Sequence, residues 1–131
     1  IKLDAPDQET LNRLNRAHEK IKLDNIIEGI LNFKKSFKGE IDIQMMLMNI
    51  NIHKIEKLIA LLKTIAPHTV QLNTPTRPYP LSWHRENRGN HEKIFNYPVQ
   101  ELRPITREQA LEAETLLKNQ TDLNILSVYR N

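Results

Sequence analysis

The sequence predicts an α/β domain built as a parallel βαβαβ unit followed by a long loop, a helix and a short last strand. Three observations carry that prediction. Short segments with period-two or continuous apolar patterning stand at 1–3, 41–47 and 69–73. Between them lie stretches whose apolar residues recur at the three, four and seven spacing of one-sided helices. Helices of that length between strands make parallel neighbours with right-handed crossovers. Three such strands with helices on one side are a slice of an open α/β sheet or of a β/α barrel. In either case the carboxyl ends of the strands form the functional edge.

The elements follow in order. Ile1 and Leu3 straddle Lys2 and read as the end of a first strand, so the expectation is a piece of a longer chain. The run PDQETLNRLNRAH reads as a short helix. In KLDNIIEGILNFKKSFKG, Leu23, Ile26, Ile27, Ile30, Phe33 and Phe37 make an apolar stripe. Asp24 and Lys34, Lys35 and Lys38 suit the helix dipole, and Gly39 is the expected C-terminal stop. In EIDIQMMLMN, Ile41, Ile43, Met45 and Leu47 alternate with polar residues at first. The segment then turns apolar on both faces, as a strand does where its sheet becomes covered twice. NIHKIEKLIALLKTIAP reads as one further helix, with Ile52, Ile55, Leu58, Ile59, Leu62 and Ile65 inward and Pro67 closing it. TVQLN is the third strand. The proline-rich stretch from Thr74 to Pro104 reads as a long surface loop. ITREQALEAETLLKNQ is a helix with Thr106 and Gln109 as a capping box and Ala110, Ala113, Leu116 and Leu117 as its apolar face. LNILSVY is the last strand.

The composition fits a single core of ordinary size. Of 131 residues, 39% are apolar and 27% charged, which argues against general disorder. Aromatics are only 5%, so aliphatic side chains must fill the interior. A net charge of +3 permits an anionic partner without demanding one, since 16 acidic residues are spread among 19 basic ones. The chain has no cysteine, so it holds no disulfide, no thiolate nucleophile and no cysteine-ligated cluster of its own. Together with the absence of a membrane-length apolar run or a signal peptide, this points to the cytoplasm.

Two groups of residues carry a resemblance. The first is Leu3-Asp4-Ala5, followed by Asp7-Gln8-Glu9-Thr10 and the pair Asn15-Arg16. The second is the strand running into Leu72-Asn73-Thr74-Pro75-Thr76-Arg77-Pro78. With the Glu28-Gly29-Ile30 helix and the strand ending Leu47-Met48-Asn49, they make the first 78 residues resemble the second half of a radical S-adenosylmethionine (radical SAM) iron–sulfur oxidoreductase domain, in its wybutosine-synthesis-like branch. The resemblance implies a six-stranded partial TIM-like barrel, (β/α)6, of which residues 1–78 supply strands four to six, with 79–131 as a C-terminal extension. It also implies a 4Fe–4S cluster on three cysteines of a first-half CxxxCxxC loop, and S-adenosyl-L-methionine reduced there to a 5′-deoxyadenosyl radical. The cysteine motif is absent here. Any enzymatic activity would belong to the parent protein, with the missing N-terminal half of the barrel as partner and this chain alone inactive. A tRNA or small-molecule substrate is implied as well.

The resemblance gives the strand-end residues their candidate roles. Asp4 stands where the family contacts the ribose hydroxyls or the amino group of S-adenosylmethionine; the alternative is that it caps the following helix. Asn49 and Asn51 follow the next strand, where a side-chain amide is a candidate cofactor contact; the alternative is that Asn49 simply turns the chain into the next helix. Met46 and Met48 line the adenine pocket or fill the core. Asn73, Thr74 and Arg77 stand at the adenine edge, and Arg77 suits a carboxylate. None of these candidates is catalytic, and no metal ligand is assigned. In SWHRENRGNH, Trp83, His84, Arg85, Arg88 and His91 suit a nucleic-acid contact, while His84 and His91 make only a weak metal pattern. A rival function is therefore a non-catalytic α/β binding module for RNA or a protein. Open strand edges also make homo-oligomers an expectation.

Overall fold

The computed structural model describes residues 1–75, 79–82, 97–100 and 104–130. Helix α1 (Gln8–Asn15) starts at Asp7, whose carboxylate accepts from the Thr10 N–H at 2.9 Å and the Thr10 hydroxyl at 2.7 Å. Asp7, not Asp4, is thus the cap of the first helix. Helix α2 (Leu23–Ser36) buries Leu23 and Ile30. Strand β1 (Asp42–Met46) leads to a short helix α3 (Asn49–Ile52) and then to α4 (Ile55–Ile65). Strand β2 (Thr69–Asn73) follows, then a small antiparallel pair, β3 (Tyr79–Pro80) and β4 (Val99–Gln100). Helix α5 (Arg107–Gln120), strand β5 (Asn124–Ser127) and a 3-10 turn (Val128–Arg130) complete the described chain.

The sheet is parallel throughout, in the order β1-β2-β5. The first residues extend it. Leu3 N–H donates to the Gln44 carbonyl at 2.9 Å and Gln44 N–H to the Ile1 carbonyl at 2.7 Å, a parallel bridge of Lys2 with Gln44. Four extended segments thus lie side by side in chain order.

Burial divides the two faces of this sheet. Ile43, Met45, Val70, Leu72 and Ile125 are buried, in one cluster with Leu23 and Ile30 of α2, Leu58 and Leu62 of α4, and Ala110 and Leu117 of α5. The intervening residues Gln44 and Leu126 are exposed, and Met46, Gln71 and Asn73 half-buried. All three long helices therefore pack on one face, and no described helix covers the other. Toward the end of the segment, where cover on both faces is expected, Met46 is half-buried and Met48 buried, while Gln44, in its alternating part, is exposed and its amide reaches Gln71 at 3.2 Å.

Three further expectations are corrected. The helix foreseen from Asn51 to Pro67 is broken at His53 and Lys54, with α4 ending at a left-handed Ala66 (φ 48°) just before Pro67. Helix α2 ends at Phe37, not at Gly39, and Phe33 and Phe37 are not core: they are 49% and 44% exposed and stack on each other at 4.9 Å. Gly39 matters for another reason. A Cβ there would lie 2.6 Å from the Phe37 ring, so the missing side chain gives that ring its place. On α5, Leu116 is partly exposed while Glu114 is fully buried. Where α2 ends, the Lys34 ammonium donates to the last carbonyls of α4, to Ile65 at 2.8 Å and to Ala66, and favours that helix terminus.

Candidate functional site

The carboxyl ends of the parallel segments bring most of the foreseen residues to one edge. Asp4 is buried there and held from both sides. Its Oδ1 accepts from the Met46 N–H at 2.7 Å, and its Oδ2 pairs with the Lys2 ammonium at 2.8 Å. Its own carbonyl accepts from the Asn51 amide at 2.9 Å. Asp4 thus extends the pairing of the first segment with β1 by a side-chain bond beyond the last backbone one.

Asn51 is the brace of this corner. It is fully buried, and its amide also donates to the Met46 carbonyl at 2.8 Å, while its Oδ1 accepts from the Met48 N–H at 2.9 Å. One side chain satisfies three backbone groups where β1 turns into α3. Asn49, by contrast, is exposed at the start of α3. Met48 is buried core and Met46 half-buried.

Asn73 ends β2 in register with Met46. Its carbonyl accepts twice, from the Leu47 N–H at 3.0 Å and from the Tyr129 hydroxyl at 3.3 Å. The Tyr129 hydroxyl also meets the Thr74 side chain. Burial pushes this phenol up, with the Thr74 hydrogen bond partly opposing. The Tyr129 carbonyl in turn accepts from Arg107 Nε at 2.9 Å. Beside this point, on the uncovered face, lies an open groove of about 480 Å³ lined by Gln71, Leu72, Asn73, Leu126, Ser127 and Val128. Its polar groups are two amides and a hydroxyl, all uncharged, on a flat partly apolar floor. Such a surface suits a neutral planar group with donors and acceptors on its rim.

Asp4, Asn73 and Thr74 thus gather along one edge, with Asn49 just beyond the end of β1. Arg77 and the stretch holding Trp83, His84, Arg85, Arg88 and His91 lie outside the described residues. Among the described residues no group of three His, Cys, Asp or Glu side chains is placed to hold a metal ion, and no helix is long and apolar enough to cross a membrane.

The chain is similar to two UPF0026 proteins. It is 40% identical over 119 residues to the UPF0026 protein slr1464 of Synechocystis, covering 88% of this chain and 43% of that protein. It is 34% identical over 126 residues to the UPF0026 protein MJ1312 of Methanocaldococcus jannaschii, covering 94% of this chain and 35% of that one. The chain therefore spans less than half the length of either relative. A shorter match, 30% over 78 residues, takes in 12% of the GTPase Obg of Brachyspira hyodysenteriae. No family model and no solved structure matches the chain.

The sequence did not single out Tyr129 or Lys2, and it gave Asn51 no more weight than Asn49. Their parts depend on contacts far apart in the chain: 47 residues separate Asn51 from Asp4, and 56 separate Tyr129 from Asn73. Two ion clusters were also not foreseen. Lys54 and Lys57 both reach Asp7, at 3.0 and 2.9 Å, tying α1 to the α4 end. Lys118 and Arg130 both meet Oε1 of the buried Glu114.

Proposed function

We propose that this chain is the second half of a radical SAM domain and forms the adenosyl side of its S-adenosylmethionine pocket. The observation that carries this reading is the arrangement of the sheet. Four parallel segments follow one another in chain order, one more than the three that the resemblance gives to residues 1–78, and their helices all lie on one face. A doubly wound sheet reverses direction and covers both faces. A barrel winds its sheet in one direction with the helices outside, so in this reading the uncovered face would be the barrel's interior. The polar residues Gln44, Gln71 and Asn73 would then line a cavity, and the greater length of the two relatives leaves room for the remaining strands.

The residues fit part of the cofactor. Asn73 and Thr74, with the Tyr129 hydroxyl between them, offer the amide and hydroxyl groups that a neutral adenosyl moiety needs, and Asn49 stands on the next strand end. Asp4 fits less directly: its carboxylate is buried beneath Lys2, and both oxygens already hold a partner. We assign it the task of keeping the edge in shape, with a ligand hydroxyl reaching it only where Lys2 swings aside. The cluster itself finds no ligands here, for the chain has no cysteine. In this family the cofactor and cluster together supply hydrogen abstraction by a deoxyadenosyl radical. The part of this chain is to hold and orient the adenosyl group and to wall the cavity.

The test uses the full-length gene product, reconstituted anaerobically with iron and sulfide. The expected outcome is the visible absorption of a 4Fe–4S cluster, together with calorimetric binding of S-adenosylmethionine that Asn73→Ala or Thr74→Ala weakens about tenfold, the value of one hydrogen bond to a desolvated group. A protein that forms no cluster, or whose binding ignores both substitutions, defeats the proposal. Salt-sensitive tRNA binding in its place would favour the RNA-binding module instead.

A further inference from the structure

The two ends of the helix layer are finished differently. Beyond α5, the flank is tied by polar contacts: the 3-10 turn at Val128–Arg130 folds back, Arg130 meets the buried Glu114, and Arg107 holds the Tyr129 carbonyl. At α2 the flank is bare. On a helix, residues seven apart share a face. Ile27 and Lys34 mark the side of α2 that turns toward α4, since Lys34 reaches the carbonyls of Ile65 and Ala66. Phe33 lies off that side, two turns beyond Ile26, which is half-buried against the core. There Phe33 and Phe37 are half exposed, yet they are ordered: their rings stack, and Phe37 rests over Gly39. The sheet edge beneath is open too. The first segment pairs with β1 on one side only, and Ile1, on the helix side by alternation with buried Leu3, is 47% exposed.

We propose that this flank of α2 receives an apolar helix from the part of the polypeptide that the longer relatives carry outside the matched region. The inference rests on the barrel-sector reading above and adds to it a seam and its anchors. A layer wound in one direction places each new helix beside the previous one, about 10 Å away. The next such place, beside α2 and over the open strand edge, is where the aromatic pair stands uncovered. The α5 end also leaves Leu116, Leu126 and Val128 exposed, but among the described residues it carries no stacked aromatic pair. The occupant is an amphipathic helix with aliphatic residues toward Phe33, preceding a strand that pairs with the first segment. A second copy of the chain would instead have to match this surface with itself. An RNA base would find one face of Phe37 already taken by Phe33.

The experiment is photo-cross-linking in the full-length protein carrying Phe33→p-benzoylphenylalanine, with the adduct mapped by mass spectrometry. The expected result is a cross-link within one polypeptide, to residues outside the 131 described by this sequence. A cross-link between two copies, to RNA, or to residues within these 131 overturns the proposal. Since the added group itself strains the fit, Phe33→Leu and Phe33→Glu give a second measure. Leucine is expected to retain the amide-exchange protection of the contacting helix, and glutamate to lose it. Unchanged protection in the glutamate variant also overturns the seam. Neither readout needs the cluster or cofactor, so loss of the enzyme reading and loss of the seam are separately visible.

Discussion

Single residues set the shape of the strand-end edge, and Asn51 sets the most. It satisfies the Asp4 and Met46 carbonyls and the Met48 N–H. In Asn51→Ala three buried backbone groups lose their partner, each worth on the order of 1 kcal/mol or more. A loss of about 3 kcal/mol in urea unfolding is expected; a loss below about 1 kcal/mol would mean that the corner is held by other contacts. Asn51→Asp should fare worse at neutral pH than in acid, because the new oxygen faces two carbonyls and is tolerable only when protonated. Asp7 has the opposite dependence. Burial pushes its carboxyl up, but the Thr10 hydroxyl, the Lys57 ammonium, the Thr10 N–H and the Lys54 ammonium together hold it far below the usual carboxylate range. A depressed folded value means that its contribution is present above the unfolded pKa, about 3.9, and disappears as pH falls through the folded value. Asp7→Asn is therefore expected to cost stability, on the order of 1 kcal/mol, at pH 7. The difference from wild type should shrink steadily below about pH 4, as followed by thermal unfolding across the acid range. A gap that stays constant in acid would show that capping geometry alone, not charge, is what Asp7 provides.

At the scale of elements, one buried carboxylate ties down the turn that follows the last strand. Glu114 is fully buried, and Lys118 and Arg130 share its Oε1. Burial pushes its carboxyl up, but those two cations hold it below its ordinary value. Both cations are partly exposed, so the interaction lies between a surface pair and a buried one. Arg130→Ala is expected to cost about 2 kcal/mol locally, seen as about thirtyfold faster amide exchange in β5 while β1 and β2 keep their protection. Equal loss in all three strands would mean that β5 does not open alone. The elements also show what periodicity can carry. Strand β2 has the foreseen bounds because Val70 and Leu72 alternate strictly between a helix stop and a proline. The Thr106–Gln109 capping box was legible because its signal is local. The break between α3 and α4 was not, since Ile52 and Ile55 keep helical spacing across it. Phe33 and Phe37 continued the apolar stripe of α2, and a stripe shows which face is apolar, not what covers it. The edge residues Asp4, Asn73 and Thr74 were found because strand ends can be read from the pattern; what Asp4 holds there, and the arrival of Tyr129, were not, because those contacts span distant parts of the chain.

For the whole molecule the decisive property is that one face of a parallel sheet is packed and the other is not. Parallel sheets are ordinarily covered twice, so the asymmetry should appear in energetics as sharply as in geometry, and adjacent residues of β2 allow a direct comparison. Leu72 is buried against the helices, while its neighbour Gln71 lies half-buried on the open side beside Gln44. Leu72→Ala removes packed methyl groups and leaves a cavity, for an expected loss of about 3 kcal/mol. Gln71→Ala gives up one solvent-accessible amide contact, and within this chain it should change stability by less than about 0.5 kcal/mol. Val70→Ala and Gln44→Ala extend the comparison to one further residue of each face, with the same division expected. Chemical denaturation of the four variants measures it. Should the glutamine substitutions cost as much as the aliphatic ones, the uncovered face would be carrying packing of its own, and it would no longer qualify as the wall of a cavity. Should they prove silent here but weaken ligand binding in the full-length protein, these side chains would be identified as cavity lining, kept for what they contact and not for what they hold together.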